Sequence, residues 1–377
     1  MRTLPDLLAD AAGRELLLES GIHGDPATFL AALATPARRA DDAADAPCPI
    51  HVHQQPSPDY RRSVVAKLAA AESLRRDRPG CVSVTFVLID TDRAASSKAA
   101  TRITWRDANG HRRMLKVTPA GTDALEFRHL LVEPPRLARI AAMLEAHVRQ
   151  SPGDRAAALA RLDLVRPLLA PAEPMTLGRY AATLGGFLLD AHLGARPRPL
   201  MVSGLADAGA LGPALSAIMA ALDAFVAAFN ARVAALQAAD VATAVAALPD
   251  DYLPLFYSCP VDGARLRLRR RRIGGDLHAV AESRAGRRYA FPLGDRGTSL
   301  DALFAAGRWS PDVTLPILLN DRFSGMVAGR SSALYCMVLG ATMRTVLTMK
   351  PIPVFAPAIP PADAARPDGL LQAWLTG

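Results

Sequence analysis

The stretch that decides the fold spans residues 49–98 and reads PIHVHQQPSPDYRRSVVAKLAAAESLRRDRPGCVSVTFVLIDTDRAASSK. Ile50 and Val52 alternate with two histidines, and this period of two predicts a buried strand end. Apolar residues then recur at helical spacing, and residues 82–89 (VSVTFVLI) are β-branched and apolar, as in a central parallel strand. The order strand, helix, strand predicts a βαβ unit with a right-handed crossover.

Polar side chains follow both predicted strands. Parallel strands joined by a helix end at the same edge of a sheet, and open α/β sheets bind their ligands at that edge. The candidate site residues from this stretch are His51, His53, Gln54, Gln55, Asp90, Asp92, Arg93 and Lys98. Alternatives stay open, because the histidines could be structural, contact phosphate or bind a metal, and the aspartates could cap a helix.

Composition limits the class of protein. The chain has 377 residues, half of them hydrophobic, which allows one large domain or two to three ordinary ones. The net charge of +8 suits phosphates, carboxylates or nucleic acid, although an arginine-rich codon usage gives the same balance. Four widely spaced cysteines form no CxxC pair, so no zinc site is predicted. With neither a signal peptide nor an 18-residue apolar run, we expect a soluble cytoplasmic protein.

The rest of the chain divides by pattern into four parts. We expect N-terminal helices and a connector over 1–47, the first part of a parallel core with a helical insertion over 48–204, long helices and an antiparallel β meander over 205–298, and the rest of the core over 299–377. Within these parts we expect a hairpin at Asn109-Gly110, one long helix over 208–237, a shorter helix ending near Leu248, and a helix beginning at Ser299 or Ser310.

Two basic segments are candidate anion sites. Residues 265–272 (RLRLRRRR) favour a solvated hairpin face over a nucleic-acid contact. Residues 329–332 (GRSS) lead into a helix, whose first N–H groups, dipole and hydroxyls could hold an anion. Residues 320–322 (NDR) are either a turn or part of a site. No Walker-A loop, GxGxxG motif or GxSxG elbow is present.

Several segments carry a resemblance to a known family. They are HQQ at 53–55 before a helix with Lys67, FVLIDTDR at 86–93, LFYSCPVDGARLRLR at 255–269, WSPDVTLPILLNDRF at 309–323, AGRSSALY at 328–335 and PIPVF at 351–355. Together they resemble the cysteine ligase (cysteine-adding enzyme) family of bacillithiol biosynthesis, over about residues 48–357. The chain departs from that family near Tyr60, at Arg93-Ala94 and at Ser332, and it lacks the long C-terminal coiled coil.

The resemblance implies a fold and a chemistry. The fold would be a Rossmann-like α/β core akin to class I aminoacyl-tRNA synthetases and nucleotidylyltransferases. The activity would be ATP-dependent amide formation between cysteine or another amino acid and an amine acceptor, with ATP and optionally Mg²⁺ as cofactors. His53, Gln54, Asp90, Asp92 and Arg93 would be catalytic. The substrate and nucleotide contacts would be His51, Gln55, Lys98, Asp312, Asn320, Asp321, Arg330, Ser331 and Tyr335.

The departures keep other functions open. One is a catalytically degenerate homologue that serves as a binding or scaffold subunit. Another is an acyl transferase that uses a pre-activated amino acid, such as one carried on tRNA. Nucleic acid is the less favoured partner, no membrane partner is predicted, and the sequence does not indicate an oligomeric state.

Overall fold

The computed structural model describes residues 1–34, 47–96, 100–107, 109–150, 153–195, 197–312, 314–359 and 369–376. The strands are β1 Ile22–His23, β2 Cys48–Gln54, β3 Val82–Leu88, β4 Arg102–Arg106, β5 Arg112–Lys116, β6 Leu131–Val132, β7 Met175–Thr176, β8 Arg198–Met201, β9 Tyr252–Ser258, β10 Arg265–Ile273, β11 Asp276–Glu282, β12 Arg288–Pro292, β13 Trp309–Pro311, β14 Gly325–Val327 and β15 Val354–Phe355. The helices are α1 Leu4–Ala9, α2 Ala11–Glu19, α3 Pro26–Ala34, α4 Arg62–Asp77, α5 Pro134–Gln150, α6 Arg155–Leu169, α7 Leu177–Tyr180, α8 Gly186–Leu193, α9 Val202–Asp207, α10 Gly212–Ala220, α11 Leu222–Ala238, α12 Asp301–Ala305, α13 Leu315–Leu318, α14 Arg330–Thr345 and α15 Leu370–Thr376. A π-helical turn over Ala181–Gly185 lies between α7 and α8.

A six-stranded parallel sheet forms the α/β core. Its strand order is β1-β15-β14-β2-β3-β8, and all its pairs are parallel. The predicted βαβ unit is confirmed as β2, α4 and β3. Three further short apolar stretches, 199–203 (PLMVS), 324–328 (SGMVA) and 352–355 (IPVF), also predict strands, and they are confirmed as β8, β14 and β15. Strand β1 was not predicted, because two residues are too short to show a period of two.

The chain forms two compact units, each discontinuous in sequence. The first comprises Met1–Val52, Ala70–Val84 and Gly204–Ala358, and the second comprises His53–Ala69, Thr85–Ser203 and Ile359–Gly377. Strands β2 and β3 and helix α4 therefore each contribute residues to both units. The predicted connector at 36–47 lies almost wholly outside the described residues.

The first unit contains the predicted antiparallel meander. Strands β9 to β12 form it in chain order, and β13 adds a fifth strand beside β9. The prediction that a helix begins at Ser310 is therefore wrong, because Ser310 pairs with Phe256 within β13. Pro311 is tolerated there because β13 is an edge strand, where a missing N–H breaks no ladder bond. The alternative helix start is near the observed one, since Ser299 lies two residues before α12.

The alanine-rich region of the first unit is not one long helix. The predicted helix over 208–237 is divided into α10 and α11, which meet at an angle of 84°. The predicted helix ending near Leu248 is also wrong, because the Asn230 side chain binds the Leu248 backbone at 2.7 and 2.9 Å and holds a non-helical segment there. In the described part of the chain no single helix has the length and apolarity to span a membrane, although α10 and α11 together do.

The second unit is mostly helical. The sequence also predicts a helix break at 151–153 (SPG), of which residues 151 and 152 lie outside the described residues; α5 ends at Gln150 and α6 begins at Arg155. Thr176 caps α7 by accepting a hydrogen bond from the Arg179 backbone N–H at 3.3 Å. The predicted hairpin at Asn109-Gly110 is confirmed as β4 and β5, but it forms its own two-stranded sheet rather than an extension of the parallel one. Helix α15, which was not predicted, packs against α6, α8 and β4.

A buried aspartate anchors α15. Asp59 is 3% exposed, and its two carboxylate oxygens accept hydrogen bonds from the backbone N–H groups of Thr104 at 2.9 Å and Leu371 at 3.0 Å. Gly369 packs so closely on this carboxylate that a side chain at that position would strike it. One buried carboxylate side chain thus holds strand β4 and the first turn of α15 together.

Replacing Asp59 by alanine should destabilise the protein. Two N–H groups would lose their buried carboxylate acceptor, so we expect the free energy of unfolding to fall by about 3 kcal/mol. Chemical denaturation of wild type and Asp59→Ala measures this difference. The control is Asp163→Ala, which removes an aspartate that is 71% exposed and should change stability by about 0.5 kcal/mol or less. Equal effects of the two substitutions would contradict the anchoring role.

Candidate functional site

Polar side chains collect where three neighbouring parallel strands end in the second unit. Gln54 is the last residue of β2, Asp90 and Asp92 follow β3, and Ser203 follows β8. The backbone N–H of Ile89 donates to the Gln54 carbonyl at 2.8 Å, so β2 and β3 stay paired to their ends. The predicted convergence at the carboxyl edge of the sheet is therefore present for Gln54, Gln55 and Asp92.

Four side chains form one hydrogen-bonded chain at this edge. The Lys67 ammonium donates to Gln54 Oε1 at 3.1 Å, Gln54 Nε2 donates to Gln55 Oε1 at 2.8 Å, and Gln55 Nε2 donates to Asp92 Oδ2 at 3.1 Å. Lys67 also donates to the His53 carbonyl at 3.2 Å. Helix α4 thereby supplies the cation that begins the chain, and the loop after β3 supplies the carboxylate that ends it.

Burial changes the acidity of the groups at the start of this chain. Lys67 is 6% exposed, and desolvation lowers its pKa to about 8. Desolvation and the nearby Lys67 charge together lower the pKa of His53 to about 3. The His53 ring is therefore neutral at physiological pH in the chain as described.

Asp90 is held by the first turn after β8. Its Oδ1 accepts a hydrogen bond from the Ser203 backbone N–H at 2.9 Å, and its Oδ2 accepts one from the Ser203 hydroxyl. Asp90 is 4% exposed, and burial raises its pKa although Ser203 and the Arg128 charge oppose the shift. Both carboxylate oxygens thus serve to join the end of β3 to the end of β8.

The segment 126–128 fixes the acidic loop from the other side. The backbone N–H groups of Phe127 and Arg128 donate to the carbonyls of Asp92 and Asp90, each at 2.8 Å. The Arg128 guanidinium donates to the fully buried Glu126 carboxylate at 2.6 Å. These contacts hold the backbone of both aspartates, so the loop does not depend on a ligand for its shape.

Two predicted residues of this stretch lie apart from the hydrogen-bonded chain. Arg93 is exposed, and its backbone forms a bridge with Glu126. Lys98 lies outside the described residues.

The remaining predicted site residues belong to the first unit. His51 is fully buried in β2, with its ring 4.6 Å from that of Phe323, so it lies in the core. The Asn320 side chain donates to the Lys350 carbonyl at 3.2 Å and accepts from the Ile352 N–H at 3.0 Å, which is a structural contact. Asp321, Arg330 and Ser331 are exposed, and the latter two begin α14.

Asp312 and Tyr335 belong to a second polar cluster in the first unit. Asp312 is 7% exposed and accepts from the Arg267 guanidinium at 2.9 Å. Burial and the nearby Tyr252 and Asp312 raise the pKa of Tyr335 well above its ordinary value. The cluster also includes Tyr252, whose pKa is raised by burial and by Asp312.

The arginine-rich strand β10 is largely neutralised by its own neighbours. Arg269 and Arg271 pair with Asp251 at 2.6 and 2.9 Å, and Arg270 pairs with Asp223. Arg265 donates to the Pro311 carbonyl at 2.6 Å and its guanidinium stacks on Phe256. These contacts favour the predicted hairpin face over a nucleic-acid surface.

Sequence reasoning gave no site role to Lys67, Glu126, Arg128 or Ser203. Lys67 had a visible signal, because it is the single charge within the apolar run 64–71 of α4. Ser203 and Arg128 had none, since each lies more than thirty residues from Asp90 and only the folded chain brings them together.

No family model matches the chain, and no curated protein matches it in sequence. The fold and the site define an α/β protein with a polar cluster at the carboxyl ends of parallel strands.

The Lys67 charge should make stability depend on pH in a defined window. Its pKa is about 8 in the folded chain against 10.5 in the unfolded one, so between these values only the unfolded chain holds the proton. Stability should rise with pH across that window, relative to Lys67→Met, by up to about 1.4 kcal/mol per pH unit. Chemical denaturation at pH 7 to 10 measures this difference. Lys350→Met, at an exposed site, is the matched control, and parallel pH curves for wild type and Lys67→Met would refute the assignment.

Removing the Ser203 hydroxyl should weaken the Asp90 anchor. In Ser203→Ala the buried carboxylate loses one of its donors, so its pKa should rise further and stability at pH 7 should fall by about 2 kcal/mol. Carbon-detected NMR titration of the Asp90 carboxyl group measures the pKa. Ser203→Thr keeps the hydroxyl and should retain both properties, whereas an unchanged Asp90 pKa in Ser203→Ala would contradict the contact.

Proposed function

We propose that the protein is an ATP-dependent ligase that forms an amide between the carboxylate of an amino acid, such as cysteine, and an amine acceptor. The observation that carries the proposal is the hydrogen-bonded chain from Lys67 to Asp92 at the carboxyl ends of parallel strands. Ligands of open α/β sheets bind at that edge. The parallel sheet with its βαβ unit also supports a Rossmann-like core of the nucleotidylyltransferase kind.

The proposed chemistry needs an activated carboxylate. ATP would convert the donor carboxylate to a mixed anhydride with phosphate, and the amine nitrogen would then attack the carbonyl carbon. The C–N bond forms as the bond to the phosphate-bearing leaving group breaks, and the nitrogen loses a proton. The protein has to hold the two reactants together and stabilise the charges that develop.

Asp92 suits the binding part of this task. It is half-buried, and Gln55 fixes one of its oxygens. A carboxylate in that setting can hold a substrate ammonium by a charge-assisted hydrogen bond. Mg²⁺ that accompanies ATP is usually bound by one or two carboxylates together with phosphates, so Asp92 also fits a metal that arrives with the nucleotide. In that case the Lys67–Gln54–Gln55 chain would keep its carboxylate in place.

A specific observation favours the alternative of a binding subunit without catalysis. Asp90 is occupied by Ser203, and the Gln54 and Gln55 side chains bond to each other, so much of the polar edge is satisfied without a ligand. The departures from the ligase family near Tyr60 and at Arg93 agree with this reading. Titration with nucleotides, described next, distinguishes the ligase from a binding subunit without catalysis.

The test is calorimetric titration with ATP and ADP, with and without Mg²⁺. We expect micromolar binding of ATP that Asp92→Asn weakens about tenfold or more, since a charge-assisted contact is lost. Asp163→Asn removes an exposed aspartate of the same unit and is the control. Binding would then justify a search for amino acids and amines that cause ATP consumption.

The absence of nucleotide binding in every condition would refute the ATP-dependent ligase. The protein would then be a binding subunit, or an acyl transferase whose donor arrives already activated. If Asp92→Asn leaves the ATP affinity unchanged, the nucleotide binds somewhere other than the carboxyl edge of the parallel sheet.

A further inference from the structure

A cavity in the second unit is lined by none of the four side chains that form the hydrogen-bonded chain from Lys67 to Asp92. Its volume is about 180 Å³, and it lies between the π-helical turn and the face of strands β3 and β8. Phe86 and Leu88 line it from alternate positions of β3, and Pro199, which is in register with Phe86, lines it from β8. This part of the wall is entirely apolar.

The opposite wall is made by the π-helical turn. Ala181, Ala182 and Thr183 of this turn line the cavity with small side chains. Turns of π-helix are rare and are found frequently at functional sites. Here the turn packs tightly on Tyr60, because a side chain at Gly185 would strike the Tyr60 ring and the Ser57 carbonyl.

The lining of the cavity includes the charged side chain of Arg179 and the buried side chain of Tyr60. Arg179 is the single charged residue among the described residues that line it, and its guanidinium is exposed and makes no hydrogen bond or ion pair with the part of the chain that the structure describes. Tyr60 is 1% exposed, and its hydroxyl makes no hydrogen bond of ordinary length with those residues, although the Ser57 backbone lies near it.

The cavity therefore combines a mostly apolar lining with one cation, and the Thr183 hydroxyl in its wall already donates to the Arg179 carbonyl at 2.9 Å. A guanidinium with open donors recognises a carboxylate through paired N–H groups. An engineered apolar cavity of about 150 Å³ binds a benzene molecule, so a space of similar size holds about one six-membered ring. An apolar site of this size with one cation fits a small acid whose body is a ring or a short branched chain.

We propose that this cavity is a binding site for a small monocarboxylate with a compact apolar body, held by Arg179. The site does not depend on the proposed ligase function, since none of its lining residues belongs to the Lys67–Asp92 chain.

Benzoate is the probe that tests the site, with benzamide as its neutral isostere. Calorimetry or ligand-detected NMR should show benzoate binding to wild type about tenfold or more tightly than benzamide, because only benzoate gains the charge-assisted contact. Arg179→Gln should weaken benzoate by a similar factor and leave benzamide unchanged. Ala182→Leu fills the cavity and should abolish the binding of both compounds.

Two control variants make the result specific. Arg198→Gln removes an exposed arginine from β8, and the alternation of strand residues directs Arg198 away from the face that carries Pro199. It should not change benzoate affinity. Asp92→Asn should also leave benzoate affinity unchanged, so failure of the nucleotide site and failure of this site are distinguishable.

Three results would overturn the proposal. The first is the absence of benzoate binding to wild type up to the solubility limit. The second is benzoate binding that survives both Arg179→Gln and Ala182→Leu. The third is a loss of benzoate binding in Asp92→Asn, which would assign the acid to the carboxyl edge of the sheet instead.

Discussion

A lysine ammonium that is almost completely removed from water is the constraint on which the candidate site depends. A buried charge is tolerated only when it is well hydrogen-bonded, and Lys67 achieves this with the His53 carbonyl and the Gln54 side chain. Because Lys67 can only donate, it fixes which end of the Gln54 amide faces it. The Gln54 NH₂ group must then face Gln55, and the Gln55 NH₂ group must face Asp92. One buried cation therefore sets the direction of every hydrogen bond up to the carboxylate.

The two aspartates after β3 have different roles because they differ in burial and in hydrogen-bond partners. Asp90 is buried, and both of its oxygens accept hydrogen bonds from Ser203, so it joins two strand ends. Asp92 is half-buried and is held through one oxygen by a neutral amide. Burial raises the pKa of Asp90. The desolvated carboxylate of Asp90 therefore has the structural role. The carboxylate of Asp92, which is nearer to solvent, is the one proposed to bind a ligand.

The sequence predicted the parts of the fold that have strong local signals. The βαβ unit, the antiparallel meander and the β4–β5 hairpin each carry a periodicity or a turn dipeptide, and all are present. The helix break at Ala221 and the loop held by Asn230 were missed, because the segment is rich in alanine on both sides of the bend and its composition does not change there. At the site, Gln54, Gln55 and Asp92 were found from strand ends alone. Ser203 could not be found in that way, since its contact with Asp90 spans 113 residues.

The anchor of α15 also has a consequence for how the chain folds during its synthesis. Asp59 and the Leu371 N–H group are 312 residues apart, so the carboxylate is made long before this hydrogen-bond donor exists. Until residue 371 has left the ribosome, that oxygen lacks its contact with α15, and the segment around Asp59 cannot complete its packing against that helix. Contacts of such sequence separation slow folding, because the ends of a very long loop must meet first. The second unit is therefore completed late in translation, although the segment that carries Asp59 is among the first to be made.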